Sequence, residues 1–458
     1  MFDPNLFREY DIRGKSPNPL SADVAYGVGR ALGARIKRSG GTTAVVGRDV
    51  RHTSPMLAEA AARGLSASGI DVFDIGQVPT PVAYHATWRL SAGGCVMVTG
   101  SHNPKPDNGL KLCLGTSGLY GDAVRSLNAE AAAPAESVEA GTVRPHPWLA
   151  TYLDDLCPRF AFRRRFRVAV DCGNGVMGPT ALAAFARCGV DVVPLYCEPD
   201  GDFPNHLPDP EVPKYMKDLM AKVREVGADL GFGFDGDGDR VGVIDENGTK
   251  ISADWLVAVF ARDMLATHPG GVVRYDVKCG DFLDAWVRDA GGRPEMGQTG
   301  HSLLKRDVKA LDAVLGGELS GHIIFNRGYL PIDDSLYCAL TLLRILDGTG
   351  GTCSSLFAGI PRTVATAEIK VPCADDVKFD VVKALVERFR RDHDVVAIDG
   401  ARVRVDGGWF LVRASNTTPN LTVRFEAVDT RRLHAARDLL VAALAGHPAD
   451  VSPLFAET

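Results

Sequence analysis

Cys95-Val96-Met97-Val98-Thr99-Gly100-Ser101-His102-Asn103-Pro104 is the stretch on which the reading of this chain turns. The apolar run Cys95–Val98 predicts a buried strand that ends at the glycine. Ser101 then stands at the first turn position. Pro104 and Pro106 lack the amide hydrogen that a helix interior needs, so no regular helix follows directly. Asp107-Asn108-Gly109 is a second turn signal, and Leu110-Lys111-Leu112-Cys113-Leu114 alternates as a strand does. Strand, rigid loop and returning strand put Ser101 at a loop tip and bring Lys111 back towards it. A serine near an ammonium group suggests nucleophilic chemistry. By residue type alone, a serine that only satisfies turn hydrogen bonds is the commoner case. A hydrolase is weakly supported. The G-x-S-x-G elbow fails at Thr99, and His102 is not a general base merely by adjacency.

Outward from this loop, strands alternate with helices, which predicts α/β layers whose sheets are partly parallel. The chain has 458 residues, about three times the ~150-residue domain prior. Net charge is −6 and no long basic run occurs, so no nucleic-acid partner is expected. Ten cysteines occur without a C-x-x-C pair, as reduced thiols do in a cytoplasmic protein. No secretory signal is read at Met1-Phe2-Asp3-Pro4-Asn5, and no apolar run reaches the ~18 residues of a membrane span. The N-terminal segment Phe7–Gly14 reads as a solvated edge, although Arg13 could offer a guanidinium fork to phosphate.

A composition shift over Ala131–Trp148 marks the first boundary. A second α/β pattern reaches strand Leu230–Phe234, which runs into Asp235-Gly236-Asp237-Gly238-Asp239-Arg240. A third starts at Asp254, with a helix over Phe282–Ala290, an unassigned segment reaching Gly300-His301-Ser302, and a strand over Ala313–Leu315 that runs into Gly317-Glu318-Leu319-Ser320-Gly321-His322. Three units thus each carry a strand ending in a polar, glycine-containing loop, which suggests duplicated domains. From about Ala365 the order becomes that of a small α+β unit, with a hairpin around Asp406-Gly407-Gly408 and a loop, Arg413-Ala414-Ser415-Asn416-Thr417-Thr418-Pro419, dense in phosphate-type donors.

Glycines let the three carboxylates of Asp235, Asp237 and Asp239 converge. Like charges ~4 Å apart repel by ~4 kcal/mol near a protein surface, so a converged triad wants a cation, and hard oxygen ligands suit Mg²⁺ or Ca²⁺. An EF-hand is rejected because Arg240 replaces its sixth-position glycine and both flanks read as strands. Gly173-Asn174-Gly175-Val176-Met177-Gly178, with Glu198 some twenty residues on, satisfies a dinucleotide fingerprint, though a tight strand–helix turn explains the glycines equally well. Pro179 stands where a Walker loop needs lysine.

The four loops in this order resemble those of the α-D-phosphohexomutase family: Thr99–Pro104 its phosphoserine loop, Asp235–Arg240 its metal loop, Gly317–His322 its sugar loop and Arg413–Pro419 its phosphate loop. Leu319, Asn416 and the Phe7–Gly14 segment are most similar to the bacterial phosphomannomutase/phosphoglucomutase subgroup. The resemblance implies three related α/β domains with mixed sheets, over 1–147, 148–252 and 253–364, plus a C-terminal α+β domain like the TATA-binding protein over 365–458, all around a central cleft. It implies reversible phosphoryl transfer between the 1- and 6-positions of glucose or mannose phosphates, through phosphorylated Ser101 and a 1,6-bisphosphate that serves as activator and intermediate. Ser101, Asp235, Asp237 and Asp239 would hold Mg²⁺. Tyr10, Arg13, Arg240, Lys278, His301, Glu318, Ser320, His322, Arg413, Ser415, Asn416 and Thr417 would contact the substrate. His102, Lys111 and His322 are all candidates for the proton-transfer group. The expected protein is a cytoplasmic monomer with small-molecule partners and no membrane contact. Phosphoglucosamine mutase is the alternative, ahead of a nicotinamide-dependent dehydrogenase and a non-catalytic cation-binding protein.

Overall fold

The computed structural model describes residues 1–133, 138–415 and 418–455. The strands among the described residues form four sheets, and the first three share one topology. In the first, strand Thr43–Arg48 lies parallel to Asp71–Gln77 on one side and to Gly94–Val98 on the other. Asp107–Leu114 then returns antiparallel to Gly94–Val98. In the second sheet, Arg167–Asp171 lies between parallel Asp191–Leu195 and Leu230–Phe234, and Val241–Asp245 returns antiparallel. In the third, Val272–Asp276 lies between parallel Arg293–Gly297 and Leu315–Gly317, and Ile323–Phe325 returns antiparallel. The duplication read from three strand-end loops is therefore a repeated sheet order, fourth–third–first–second. Each polar loop is the turn between the third and fourth strands of its unit.

The central strands are buried along their whole length, as in Gly94–Val98 and Leu230–Phe234, which is why they read as continuous apolar runs. One core joins the three units: Met97, Met177, Phe232, Val257 and Leu340 belong to a single buried cluster. On the other face of the first sheet, helices Ala22–Arg38 and Ser54–Ala67 cross closely. A Cβ on Gly29 would lie 2.2 Å from the Ala61 carbonyl oxygen, and one on Gly64 would lie 2.1 Å from that of Tyr26. Gly64→Ala is therefore expected to destabilise the protein by about 1–3 kcal/mol through overpacking, read as a lower urea midpoint with an unchanged slope.

The C-terminal unit is an antiparallel sheet bearing helices Lys378–Phe389 and Thr430–Leu444 over its own core of Ile369, Leu385, Phe410 and Leu440. Trp409 seats it on the third unit. Arg402 Cζ lies 3.6 Å from the Trp409 ring centroid and Arg424 Cζ 5.1 Å from it. Arg402 donates to the carbonyls of Val277 and Cys279, and Arg424 to that of Lys278. Among the described residues, no helix is long and apolar enough to cross a membrane.

Several local expectations are corrected. Ile12–Lys15 is an edge strand antiparallel to Asp107–Leu114, and its Ile12 is fully buried, so this segment is only partly a solvated edge. The unassigned segment before His301 contains strand Arg293–Gly297, and helix His301–Ala310 begins at that histidine. The strand expected over Ala313–Leu315 spans Leu315–Gly317 instead, because Val273 pairs with Leu315 and Arg274 with Gly316.

Candidate active site

Ser101 adopts the left-handed backbone region, φ 47°, where a residue with a Cβ is disfavoured by about 1–2 kcal/mol. The loop around it is held from several sides. Thr99 Oγ1 accepts from the Ser101 N–H at 2.8 Å, and Asp49 accepts from the Gly100 N–H at 3.0 Å. The buried Arg51 guanidinium donates to the carbonyls of Ser101, Asn103, Pro104 and Asp107 at 2.6–2.8 Å. Strain of this kind persists only where the surroundings over-determine it.

The serine hydroxyl meets the second unit. Ser101 Oγ donates to Asp235 Oδ2 at 2.7 Å and lies 3.1 Å from His102 Nδ1. Gly236 permits this approach, since a Cβ there would lie 2.3 Å from the Ser101 carbonyl oxygen. Asp235, Asp237 and Asp239 are fully buried, with carboxylate oxygens within 4.8 Å of one another. Burial first, then the two neighbouring carboxylates, push Asp235 up to about 7.

Lys111 returns to the cavity of Ser101 but does not pair with the serine itself. Its Nζ instead bonds Asp237 at 2.7 Å and Asp239 at 2.5 Å. Burial opposes its charge, but Asp237, Asp239 and Asp235 outweigh burial and raise its pKa. The triad attracts the ammonium because three clustered carboxylates need positive charge. Arg240 adds more: its Nε lies 3.2 Å from Asp235, while one buried Nη has no hydrogen-bond partner.

The donor set fits a hard divalent cation. Asp237 Oδ1 and Asp239 Oδ1 are buried without a hydrogen-bond partner, and the other oxygens present are carboxylate and hydroxyl. A second cluster, Asp239, His322 and Asp333, also brings three ligand atoms within 4.8 Å. Lys305 Nζ lies 2.7 Å from Asp333 and supplies the positive charge there.

A cavity of about 720 Å³ opens over Ser101. Tyr10, Arg13, His102, Lys111, His301, His322 and Thr418 line it together, although they come from six separate segments of the chain. Arg13 pairs with Asp11 at 2.5 Å and donates to Asn103 at 3.1 Å, which aims one face of the guanidinium at the serine loop. Burial and neighbouring charges act differently on the three histidines. Burial, then Arg240 and Arg13, hold His102 well below the usual imidazole value. Burial, then Lys305 and Lys111, do the same to His301. His322 stacks on His301 at 5.4 Å; burial lowers its pKa, but Asp239 and Asp333 outweigh that and raise it. Asp333 accepts from His322 Nδ1 at 3.1 Å when that nitrogen carries the proton, leaving Nε2 for other partners.

The sugar-loop carboxylate has local partners. Glu318 accepts from the Gly300 N–H at 2.6 Å and from Ser320 Oγ at 3.1 Å, so it ties that loop to the turn before His301. Lys278 lies 2.9 Å from Glu368 of the C-terminal unit. Arg413 pairs with Asp399 at 3.1 Å, and Ser415 Oγ lies 2.8 Å from Thr418 Oγ1. Asn416 and Thr417 lie outside the described residues.

The glycines of Gly173–Gly178 are filled by protein. A Cβ on Gly178 would lie 1.8 Å from the Cys197 carbonyl oxygen, and one on Gly175 would lie 2.8 Å from that of Gly236. The Val176 N–H donates to Gly236 at 3.1 Å. This turn buttresses the acidic loop and has no cradle for a pyrophosphate, which removes the dinucleotide reading. Glu246, the twelfth position of the rejected EF-hand, accepts from the Ser354 N–H at 2.9 Å.

Sequence reasoning missed Asp49, Arg51, Lys305, Asp333, Glu368 and Asp399, each of which touches or supports a residue above. Strand Thr43–Arg48 neighbours the serine strand and ends beside it, so the residues after its carboxyl end were the available signal for Asp49 and Arg51.

A strained, buried serine against a carboxylate triad, under a cleft lined by basic groups from several domains, defines a phosphohexomutase-type enzyme. The chain matches all four domains of one family. Phosphoglucomutase/phosphomannomutase alpha/beta/alpha domain I matches residues 4–135, domain II 150–248, domain III 252–364 and the C-terminal domain 368–443. A phosphomannomutase/phosphoglucomutase of Pseudomonas putida is 41% identical over 95% of this chain and 94% of its own. A phosphoglucomutase of Neisseria gonorrhoeae is 36% identical over 98% of this chain and 99% of its own. The crystal structure of a phosphoglucomutase/phosphomannomutase family protein from Burkholderia thailandensis superposes with a TM-score of 0.91 at 39% identity, covering 97% of this chain and 98% of that one. The chain belongs to the phosphoglucomutase/phosphomannomutase family.

Proposed function

We propose that this enzyme interconverts the 1- and 6-phosphates of glucose and mannose through phosphorylated Ser101. The observation that carries the reading is the seat of Ser101 Oγ, 2.7 Å from Asp235 and at the floor of a cavity shared with Arg13, Lys111 and His322. The names of the similar proteins favour hexose phosphates over the glucosamine alternative.

Mg²⁺ bound by Asp235, Asp237, Asp239 and an oxygen of phosphorylated Ser101 would offset negative charge on the transferring group. The substrate's existing phosphate is held by Arg413, Ser415, Asn416 and Thr417, with Lys278, Tyr10, His301, Glu318 and Ser320 orienting the sugar. The free sugar hydroxyl attacks phosphorus, the bond from phosphorus to Ser101 Oγ breaks, and the hydroxyl proton leaves to a cleft base. Arg13, which lines the cavity, and Arg240, 3.2 Å from Asp235, would offset charge on the transferring group. The resulting 1,6-bisphosphate turns over and returns its other phosphate to Ser101. Among His102, Lys111 and His322, the neutral His102 beside Oγ and His322, ordered by Asp333, are better placed to move protons than Lys111, which is committed to the triad.

The division at 147/148, 252/253 and 364/365 is part of this proposal. It is supported by sheets that stay within each unit, except that the short strand Val364–Ala365 straddles the last boundary. A monomeric cytoplasmic enzyme is also part of this proposal; the ten free cysteines fit a reducing compartment.

The test is conversion of glucose 1-phosphate, then mannose 1-phosphate, with Mg²⁺ and a trace of the matching 1,6-bisphosphate. Turnover that stops on chelation supports the reading; no turnover with either sugar rejects it. Arg413→Lys is expected to raise KM roughly 10–100-fold by loosening a charge-assisted contact, with a smaller change in kcat. Equal losses in kcat and kcat/KM would assign Arg413 to the transition state instead.

A further inference from the structure

Arg51 is buried, with a side chain 1% exposed, and it is absent from the lining of the serine cavity. It therefore reaches the chemistry only through its neighbours. We propose that Arg51 is the positioning residue for the phosphoryl-bearing serine: its planar fork holds the loop carbonyls so that the left-handed backbone of Ser101 sets Oγ against the acidic triad. This inference rests on the mutase reading above.

The fork is fully used on the loop side. Nη2 donates to the carbonyls of Ser101 at 2.8 Å and Asn103 at 2.6 Å, and Nη1 to those of Pro104 at 2.7 Å and Asp107 at 2.8 Å. A loop containing Pro104 and Pro106 cannot satisfy these carbonyls through a helix, and an always-charged donor array answers them together. Lysine offers a single point of charge and cannot span the same set.

The guanidinium is itself fixed from behind. Asp49 Oδ2 lies 3.4 Å from Nε and also accepts from the Gly100 N–H. Asp49 Oδ1 accepts from the Arg51 N–H at 3.0 Å and from Ser54 Oγ at 2.5 Å. Gly100 leaves the guanidinium its room, since a Cβ there would lie 2.3 Å from Nε.

The second unit closes the arrangement. The Phe203 ring centroid lies 5.1 Å from Arg51 Cζ, and a Cβ on Gly201 would lie 2.7 Å from the Val50 carbonyl oxygen. The Ser101 carbonyl is thus bonded by Arg51 and packed by Gly236 of the acidic loop. Arg51 sits at the seam where the phosphoryl carrier and the metal ligands, which come from different domains, must be held in register. An error of 1 Å in such a register can lower turnover by about 100-fold.

The experiment uses the full chain and compares wild type with Arg51→Lys, Phe203→Leu and Val46→Ala, the last a core change in the same sheet. Phosphorylated protein is followed by the ³¹P resonance of Ser101 with and without Mg²⁺, and glucose 1-phosphate turnover gives kcat and KM separately. Arg51→Lys is expected to lose about 100-fold in kcat with KM nearly unchanged. Its ³¹P signal is expected to respond less to Mg²⁺ than the wild-type signal does. Phe203→Leu, which keeps the fork and removes only the ring behind it, is expected to show the same kcat-only pattern at roughly threefold. Val46→Ala should lower the melting temperature while leaving the ³¹P response intact. Overturning results are an Arg51→Lys ³¹P response equal to wild type, or a loss in both Arg51→Lys and Phe203→Leu that falls on KM. If Arg51→Lys does not fold, a wild-type ³¹P response and kcat in Phe203→Leu overturn the inference. Wild type without turnover would instead reject the mutase reading itself.

Discussion

Ser101→Ala is expected to abolish interconversion of glucose 1-phosphate and glucose 6-phosphate, with a loss of at least about 10⁴-fold, the scale on which removing an enzyme nucleophile acts. On the proposed mechanism the hydroxyl carries the phosphate, and no neighbouring side chain can replace it. His102 touches the same oxygen, but an imidazole at that place lacks the 2.7 Å contact of Oγ with Asp235. The fold should survive, because the loop is held by backbone contacts to Arg51, Asp49 and Thr99 and not by the hydroxyl. Intact-mass measurement checks the chemistry directly: wild type incubated with glucose 1,6-bisphosphate gains one phosphoryl group and the variant gains none. A variant that still turns over, or still takes up phosphate at another residue, would remove Ser101 from its role.

Asp237→Asn should produce the second large effect, a loss of about 10³-fold in kcat with Mg²⁺ at a level that saturates wild type. Asp237 contributes one of the two triad oxygens left without a hydrogen-bond partner. Replacing it with an amide removes a charge and a hard ligand together. Lys111 keeps its 2.5 Å contact with Asp239, so the unliganded variant should still fold. The independent measurement is a thermal shift. At a Mg²⁺ concentration of 100 Kd, wild type should gain about 2.7 kcal/mol, and Asp237→Asn at the same concentration should gain almost none. Equal shifts in the two proteins would place the cation elsewhere.

The repeated α/β pattern was legible because central parallel strands are buried on both faces and announce themselves as apolar runs; Gly94–Val98 and Leu230–Phe234 fall where those runs predict. Strand Arg293–Gly297 was hidden. It contains a proline, its residues are exposed or half-buried, and its strand character comes from pairing with Val272–Asp276. The acidic triad was legible because its three carboxylates lie within five residues. Arg51 was not, since the carbonyls that give it meaning lie about fifty positions further along the chain. Asp333 was equally silent, because its partners His322 and Lys305 meet it only through packing of the third unit. Lys111 was seen, yet assigned to the serine. Strand register places it opposite Met97, and the ammonium, in the same cavity as Ser101, bonds the carboxylates of a different domain. Local chemistry is written in neighbouring letters, while supporting contacts are written in the topology.

The turn between third and fourth strands recurs in three units with one backbone plan and three chemistries. In each unit its two ends are anchored by an antiparallel pair of neighbouring strands. Such a turn can exchange its side chains without redrawing the sheet beneath it, so the three roles proposed above for phosphate carrier, cation ligand and sugar contact can all be built on one bend. The same economy divides the work of folding. Each domain can finish its own bend from short-range pairing, but no single domain owns a working centre, which comes into being only when separately closed modules dock.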